Sequence, residues 1–177
     1  MLGRTLVIGR RTNVLLHNLR NDTRLYLPDD VTDAARQRGQ LFSVNAEDYF
    51  FIAFNDFPWH RVVDVVIGRP AYDNYLVGLA IRQNVTVVDA TRTLLALHQT
   101  GSDGNLAGHS NSDKGFNAAA IGKFNYASGL SSSAQYETQH SMDKDHNTTK
   151  VVVVDRRQRR VAGVVISSVQ SPVRRTS

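Results

Sequence analysis

The sequence predicts an α/β fold: a mixed sheet with flanking helices. Three observations predict it. Short valine-, leucine- or aromatic-rich runs recur at Leu6, Phe50, Val65, Val87 and Leu95, each of strand length. The segment Pro70 to about Arg82 (PAYDNYLVGLAIR) carries apolar residues at helical spacing, with Tyr72, Leu76 and Leu79 on one stripe. Finally, Gly68-Arg69-Pro70 separates an apolar run from that helix, and a valine run follows it, so strand, turn, helix and strand succeed one another without slack.

The chain has 177 residues, enough for one domain with a real core and short for two. A hydrophobic fraction of 41% is that of a folded globular chain. No apolar run approaches the roughly 20 residues that span a bilayer, and LVI near Met1 is too short for a secretory h-region. Cysteine is absent, which excludes disulfides, thiolate zinc sites and cysteine nucleophiles. No G-x-S-x-G, Walker loop, H-E-x-x-H or G-x-G-x-x-G occurs.

The net charge of +5 is unevenly placed. From Lys150 onward seven Lys and Arg face one Asp, so this part carries +6 and the rest −1. The basicity therefore belongs to a tail, and residues 141–177 are predicted as a basic, valine-rich and poorly packed appendage to a domain at 1–140. Its valine runs 151–154 and 161–166 flank DRRQRR and suggest a hairpin with a charged tip. Such a tip is a candidate contact for an acidic partner, although no aromatic residue interleaves with it for base stacking.

In chain order, Arg4–Gly9 reads as a buried strand that delivers Arg10 and Arg11 to its carboxyl end. Ligands bind at that edge in α/β sheets, so the pair is either a phosphate contact or two solvated strand-end charges. Pro28 opens a helix that Gly39 closes. Glu47 and Asp48 precede an aromatic strand over 49–54 and read as exposed turn residues. Trp59 lies in the loop NDFPWH, either as a core plug or as a flat face for a sugar ring. Val62–Ile67 and Thr93–Leu97 are predicted strands. Residues 101–115 form a glycine-rich polar loop, and 117–124 a short helix.

The runs GRPAYDNYLVGLA and VVDATRTLLALHQT, with IGRRTNV and DYFFIAF before them, resemble the C-terminal half of a GT-A-type glycosyltransferase-like domain. That superfamily uses nucleotide-diphospho-sugars. The resemblance covers about residues 4–136 and implies transfer of a sugar from a nucleotide donor to a hydroxyl acceptor. It places Asp73 where inverting members carry the catalytic base, and His98 where some carry a ligand to manganese or magnesium. It further implies donor phosphate on Arg10 and Arg11, and acceptor near Trp59. In such folds the nucleotide and its metal sit on a D-x-D motif in the preceding half. Here Asp143 and Asp145 form only a DKD beyond the proposed core, so the resemblance implies a fragment or remnant, inactive by itself.

The residues alone leave alternatives open. An acid in a first helical turn is favoured as a stabiliser whether or not it takes a proton. A single histidine ending LLALH is an ordinary strand-end residue unless two further ligands converge on it. Asp89, Asp103 and His109 stand at no diagnostic spacing for that.

Overall fold

The structure, a computed structural model, describes residues 3–15, 28–100, 113–143 and 148–169. Strands β1 (Thr5–Gly9), β4 (Tyr49–Phe51), β5 (Thr86–Asp89), β7 (Tyr136–Asp143), β8 (Thr148–Asp155) and β9 (Arg160–Val169) form one mixed sheet. Their order is β4-β1-β5-β7-β8-β9. A smaller sheet, ordered β3-β2-β6, holds β3 (Gln40–Leu41), β2 (Arg11–Leu15) and β6 (Ala96–Thr100). Helices α1 (Pro28–Arg38), α2 (Tyr72–Arg82) and α3 (Phe116–Ile121), with four short 3₁₀ turns, complete the regular elements among the described residues. The fold is therefore α/β with a mixed sheet, as the sequence predicts.

The two sheets share chain segments. Parallel strands β1 and β5 pair with Leu6 opposite Val87 and Ile8 opposite Asp89. The same two segments then run on as the parallel pair β2 and β6, with Asn13 opposite His98. The break on one side is a single residue, Arg10. Its backbone N–H donates to the Thr91 hydroxyl (3.0 Å) instead of to a ladder partner.

Helix α2 covers this junction. Its residues Tyr75 to Ala80 are all buried, because the sheet packs on one side and the turns over 126–133 on the other. The core holds Leu6, Ile8, Leu76, Val77, Val85 and Val87, with Phe57 and Ala134. Gly129 lies so close to the start of α2 that a Cβ there would collide with the Asn74 carbonyl oxygen.

Val62–Ile67 is not a strand. Its backbone groups are satisfied by local turns and by side chains instead of a neighbouring strand. The Val63 N–H donates to the Tyr75 hydroxyl (3.2 Å) and the Val66 N–H to Asn117 Oδ1 (2.7 Å). Asn117 Nδ2 returns a bond to the Val66 carbonyl (2.9 Å) and reaches those of Arg69 and Pro70 (3.3 and 3.2 Å). With these carbonyls engaged, α2 begins at Tyr72 rather than Pro70, after Ala71 at φ 77°. Non-glycine residues seldom adopt that left-handed conformation. The strand expected over 93–97 begins only at Ala96 and belongs to the smaller sheet, because Thr91–Thr93 forms a turn.

The basic tail also differs from expectation. The hairpin is present, but it extends the sheet instead of packing poorly. Strand β8 pairs with β7 from Tyr136–Asp155 to Asp143–Thr148, and Val152 and Val153 are buried. Continuity of the ladder accounts for this, since β7 crosses the proposed boundary at 140 and offers β8 an open edge. Arg174 and Arg175 lie outside the described residues.

Asn117, fully buried and bonded to four backbone groups, substitutes for a strand. Asn117→Ala is expected to cost about 2–4 kcal/mol, a few hydrogen bonds plus groups left unpaired. Urea denaturation would measure it; a loss below 0.5 kcal/mol, roughly the value of one weak hydrogen bond, would remove this role.

Candidate functional site

A cleft of about 710 Å³ opens where the carboxyl ends of β1 and β5 turn away from the main sheet. That is the edge at which α/β sheets bind ligands. Its polar wall is made by Arg10, Asp89, Thr91, Ser131, Glu137 and Arg156, and its apolar rim includes Leu41 and Val44.

One arginine organises the wall. Arg156, in the β8–β9 turn, donates from Nη2 to Asp89 Oδ2 (2.7 Å) and from Nε to Glu137 Oε2 (3.2 Å). Its Nη1 donates to the Ser131 carbonyl (2.6 Å). Asp89 and Glu137 are register neighbours on β5 and β7, so a guanidinium is needed between them. The other Asp89 oxygen accepts the Thr91 N–H and hydroxyl (2.9 and 2.6 Å), which makes the turn that ends β5. Burial alone would raise the Glu137 carboxyl, but the bond from Gln139 and the charges of Arg156 and Arg92 hold it below its ordinary range.

Beside the cleft lies an acid cluster on the first turn of α2. Asp73 Oδ2 accepts the Glu47 N–H (3.1 Å) and Oδ1 the Asn74 N–H (2.9 Å). Asn74 Nδ2 donates to Glu47 Oε2 (3.1 Å), while Glu47 Oε1 is buried without a partner. The expectation that Glu47 and Asp48 are exposed turn residues is not met. Glu47 is 4% exposed, and Asp48 is bound by Arg11 (2.8 Å). Burial first, and then the negative charge of Asp73, push the Glu47 carboxyl up to about 8. Burial also raises Asp73, against the N–H bonds that lower it. Glu47 is thus neutral at pH 7.

The other predicted site residues separate. Arg10 reaches the cleft; Arg11 does not, being held by Asp48 and lying over the Phe42 ring (4.1 Å). Trp59 is half-exposed and does not line the cleft. It packs on Phe57 (4.5 Å between centroids) and donates its Nε1–H to the Phe54 carbonyl (2.9 Å). His98 sits on β6 in the smaller sheet, with Nδ1 buried and unpartnered. Among the described residues no group of three His, Cys, Asp or Glu gathers to hold a metal, so His98 has no companion ligands among them. Asp103, His109 and Asp145 lie outside the described residues.

Reasoning from sequence missed Glu47, Glu137, Ser131 and Arg156. Only Arg156 left a signal, a single acid (Asp155) opening a run of arginines. Compared with known proteins, the chain matches no family model, no curated protein and no solved structure. Among the described residues no helix is long and apolar enough to cross a membrane.

Two outcomes are expected from this geometry. Removing Arg156 leaves Asp89 buried and uncompensated, so Arg156→Ala is expected to destabilise by about 3–5 kcal/mol, measured by chemical denaturation. Glu47 binds a proton in the folded state that it gives up near pH 4.5 when unfolded. Its contribution is therefore whole below pH 4.5 and falls as pH rises towards 8. Denaturation midpoints between pH 5 and 8 are expected to fall more steeply for the native chain than for Glu47→Gln. Parallel curves would mean that Glu47 is not the responsible group.

Proposed function

We propose that the cleft receives a saccharide and that the acid cluster at the start of α2 serves transfer of a glycosyl group to its hydroxyl from a nucleotide-sugar donor. The observation that carries this reading is a polar cleft at the carboxyl ends of parallel strands with a bonded acid pair, buried Glu47 and half-buried Asp73, beside it. Of the two, Asp73 belongs to GRPAYDN, part of the most specific stretch of the glycosyltransferase resemblance.

The chemistry asks little of the protein. The acceptor oxygen attacks the anomeric carbon, the bond from that carbon to the diphosphate breaks, and the hydroxyl proton passes to a carboxylate. Burial makes Asp73 a stronger base than an ordinary carboxylate, and bonds to two backbone N–H groups fix its orientation. Glu47, neutral at pH 7, adds no second negative charge beside it, so Asp73 alone is the proton acceptor. Ser131 joins the cluster to the cleft, because its backbone lies near enough to the Glu47 carboxyl to favour the charged form while the residue lines the cleft.

Ligand-detected NMR with neutral and acidic saccharides, followed by release of nucleoside diphosphate from uridine and guanosine diphosphate sugars with and without manganese, tests the reading. Binding of at least one saccharide is expected of this chain, and in an intact homologous domain the change equivalent to Asp73→Asn is expected to lower turnover by about 10²–10⁴ with folding intact. Equal turnover in Asp73→Asn would return Asp73 to a helix-start stabiliser; no saccharide binding of either kind would overturn the proposal.

A further inference from the structure

Within the cleft the charges do not cancel, and the remainder sits on one residue. Asp89 and Glu137 are both bonded to Arg156, and Arg92 lies 3.7 Å from Glu137 as well. Asp48, the acid nearest in sequence to the aromatic strand, is bound by Arg11. Arg10 is left without a carboxylate partner among the described residues. Its guanidinium makes one long bond, from Nη1 to the Phe42 carbonyl (3.5 Å), and its Nε is buried with no acceptor. A buried N–H without an acceptor costs about 1–3 kcal/mol, more when charged. The fold nonetheless holds Arg10 firmly, since its backbone is the hinge between β1 and β2 and is pinned to Thr91.

We propose that the ligand of this cleft carries an anionic group, a carboxylate or a phosphate, seated on the Arg10 guanidinium. An oxyanion there gains a charge-assisted bond from the guanidinium in a half-buried site, where screening by water is weaker than on the surface. Ser132 supplies a hydroxyl, and Leu41 and Val44 an apolar rim for the body of the molecule. Within the transfer reading, on which this assignment rests, the anion on Arg10 is an acid carried by the saccharide acceptor, in place of the donor phosphate that the glycosyltransferase resemblance implies there.

The test uses the full chain and four probes: inorganic phosphate, glucose 6-phosphate, glucuronate and glucose. Calorimetry and amide chemical-shift mapping are carried out at constant ionic strength. At least one of glucuronate and glucose 6-phosphate is expected to bind ten-fold or more tightly than glucose, and the pair identifies which anion the site prefers. Phosphate-induced shifts are expected at Arg10, Thr91 and Ser132. Arg10→Gln is expected to abolish the preference, whereas Arg159→Gln, on the exposed hairpin tip, leaves it intact.

Equal binding of glucose and both anions overturns the proposal, as does a preference that survives Arg10→Gln or is lost equally in Arg159→Gln. Shifts centred on Arg157 to Arg160 overturn it too, and that measurement needs no variant to fold. The two readings fail separately. Phosphate binding at Arg10 without binding of any saccharide removes the transfer reading and keeps the anion site. Saccharide binding without a charge preference does the reverse.

Discussion

The contact on which the site depends is the ion pair between Arg156 and Asp89. It joins the last hairpin of the sheet to the end of a central strand, across 67 positions of sequence. Without the guanidinium, Asp89 and Glu137 would face each other in register on adjacent strands, an arrangement that like charges disfavour. The same group also bonds the Ser131 carbonyl, so the turns that pack on α2 are tied to the sheet at the point where the cleft begins. Sheet, hairpin and turns meet at one side chain.

A second constraint lies at the start of α2. Its first turn holds two acids, Asp73 and, through Asn74, Glu47. A helix amino terminus favours negative charge, yet burial opposes it, and for Glu47 burial wins. The left-handed Ala71 and the close approach of Gly129 belong to the same neighbourhood. Strained backbone, close packing and a neutral carboxyl together mark a place where the chain departs from its cheapest local structure.

How much of this was legible follows from what each residue needs. The strands around Leu6 and Val87 and the helix over 72–82 were readable, because burial on a periodic face imprints itself on the order of residues. Val62–Ile67 misled for the complementary reason. Its composition is that of a strand, but its partner is the side chain of Asn117, about 50 positions away, and periodicity carries no trace of such a bond. Glu47 misled because an acid before a strand looks the same whether it faces water or a protein interior. Arg10 was legible as a strand-end cation and Arg11 equally so. Only the position of Asp48 tells that the second is already occupied. Arg156 was hidden by its company, since in DRRQRR three neighbouring arginines face solvent and one does not.

The passage between the two sheets has a consequence of its own. One segment makes it with a single residue, Arg10, and the other with the six residues from Ala90 to Leu95. Two parallel paths of unequal length leave a surplus of chain, and that surplus, with Thr91 and Arg92 on it, forms part of the cleft wall. One wall of the cleft is therefore set by a difference in loop length, beside the walls that the strands supply. Insertions or deletions between 90 and 95 can widen or narrow it while the ladders on both sides keep their pairing. A scaffold of this kind can change the size of what it admits without rebuilding what holds it together.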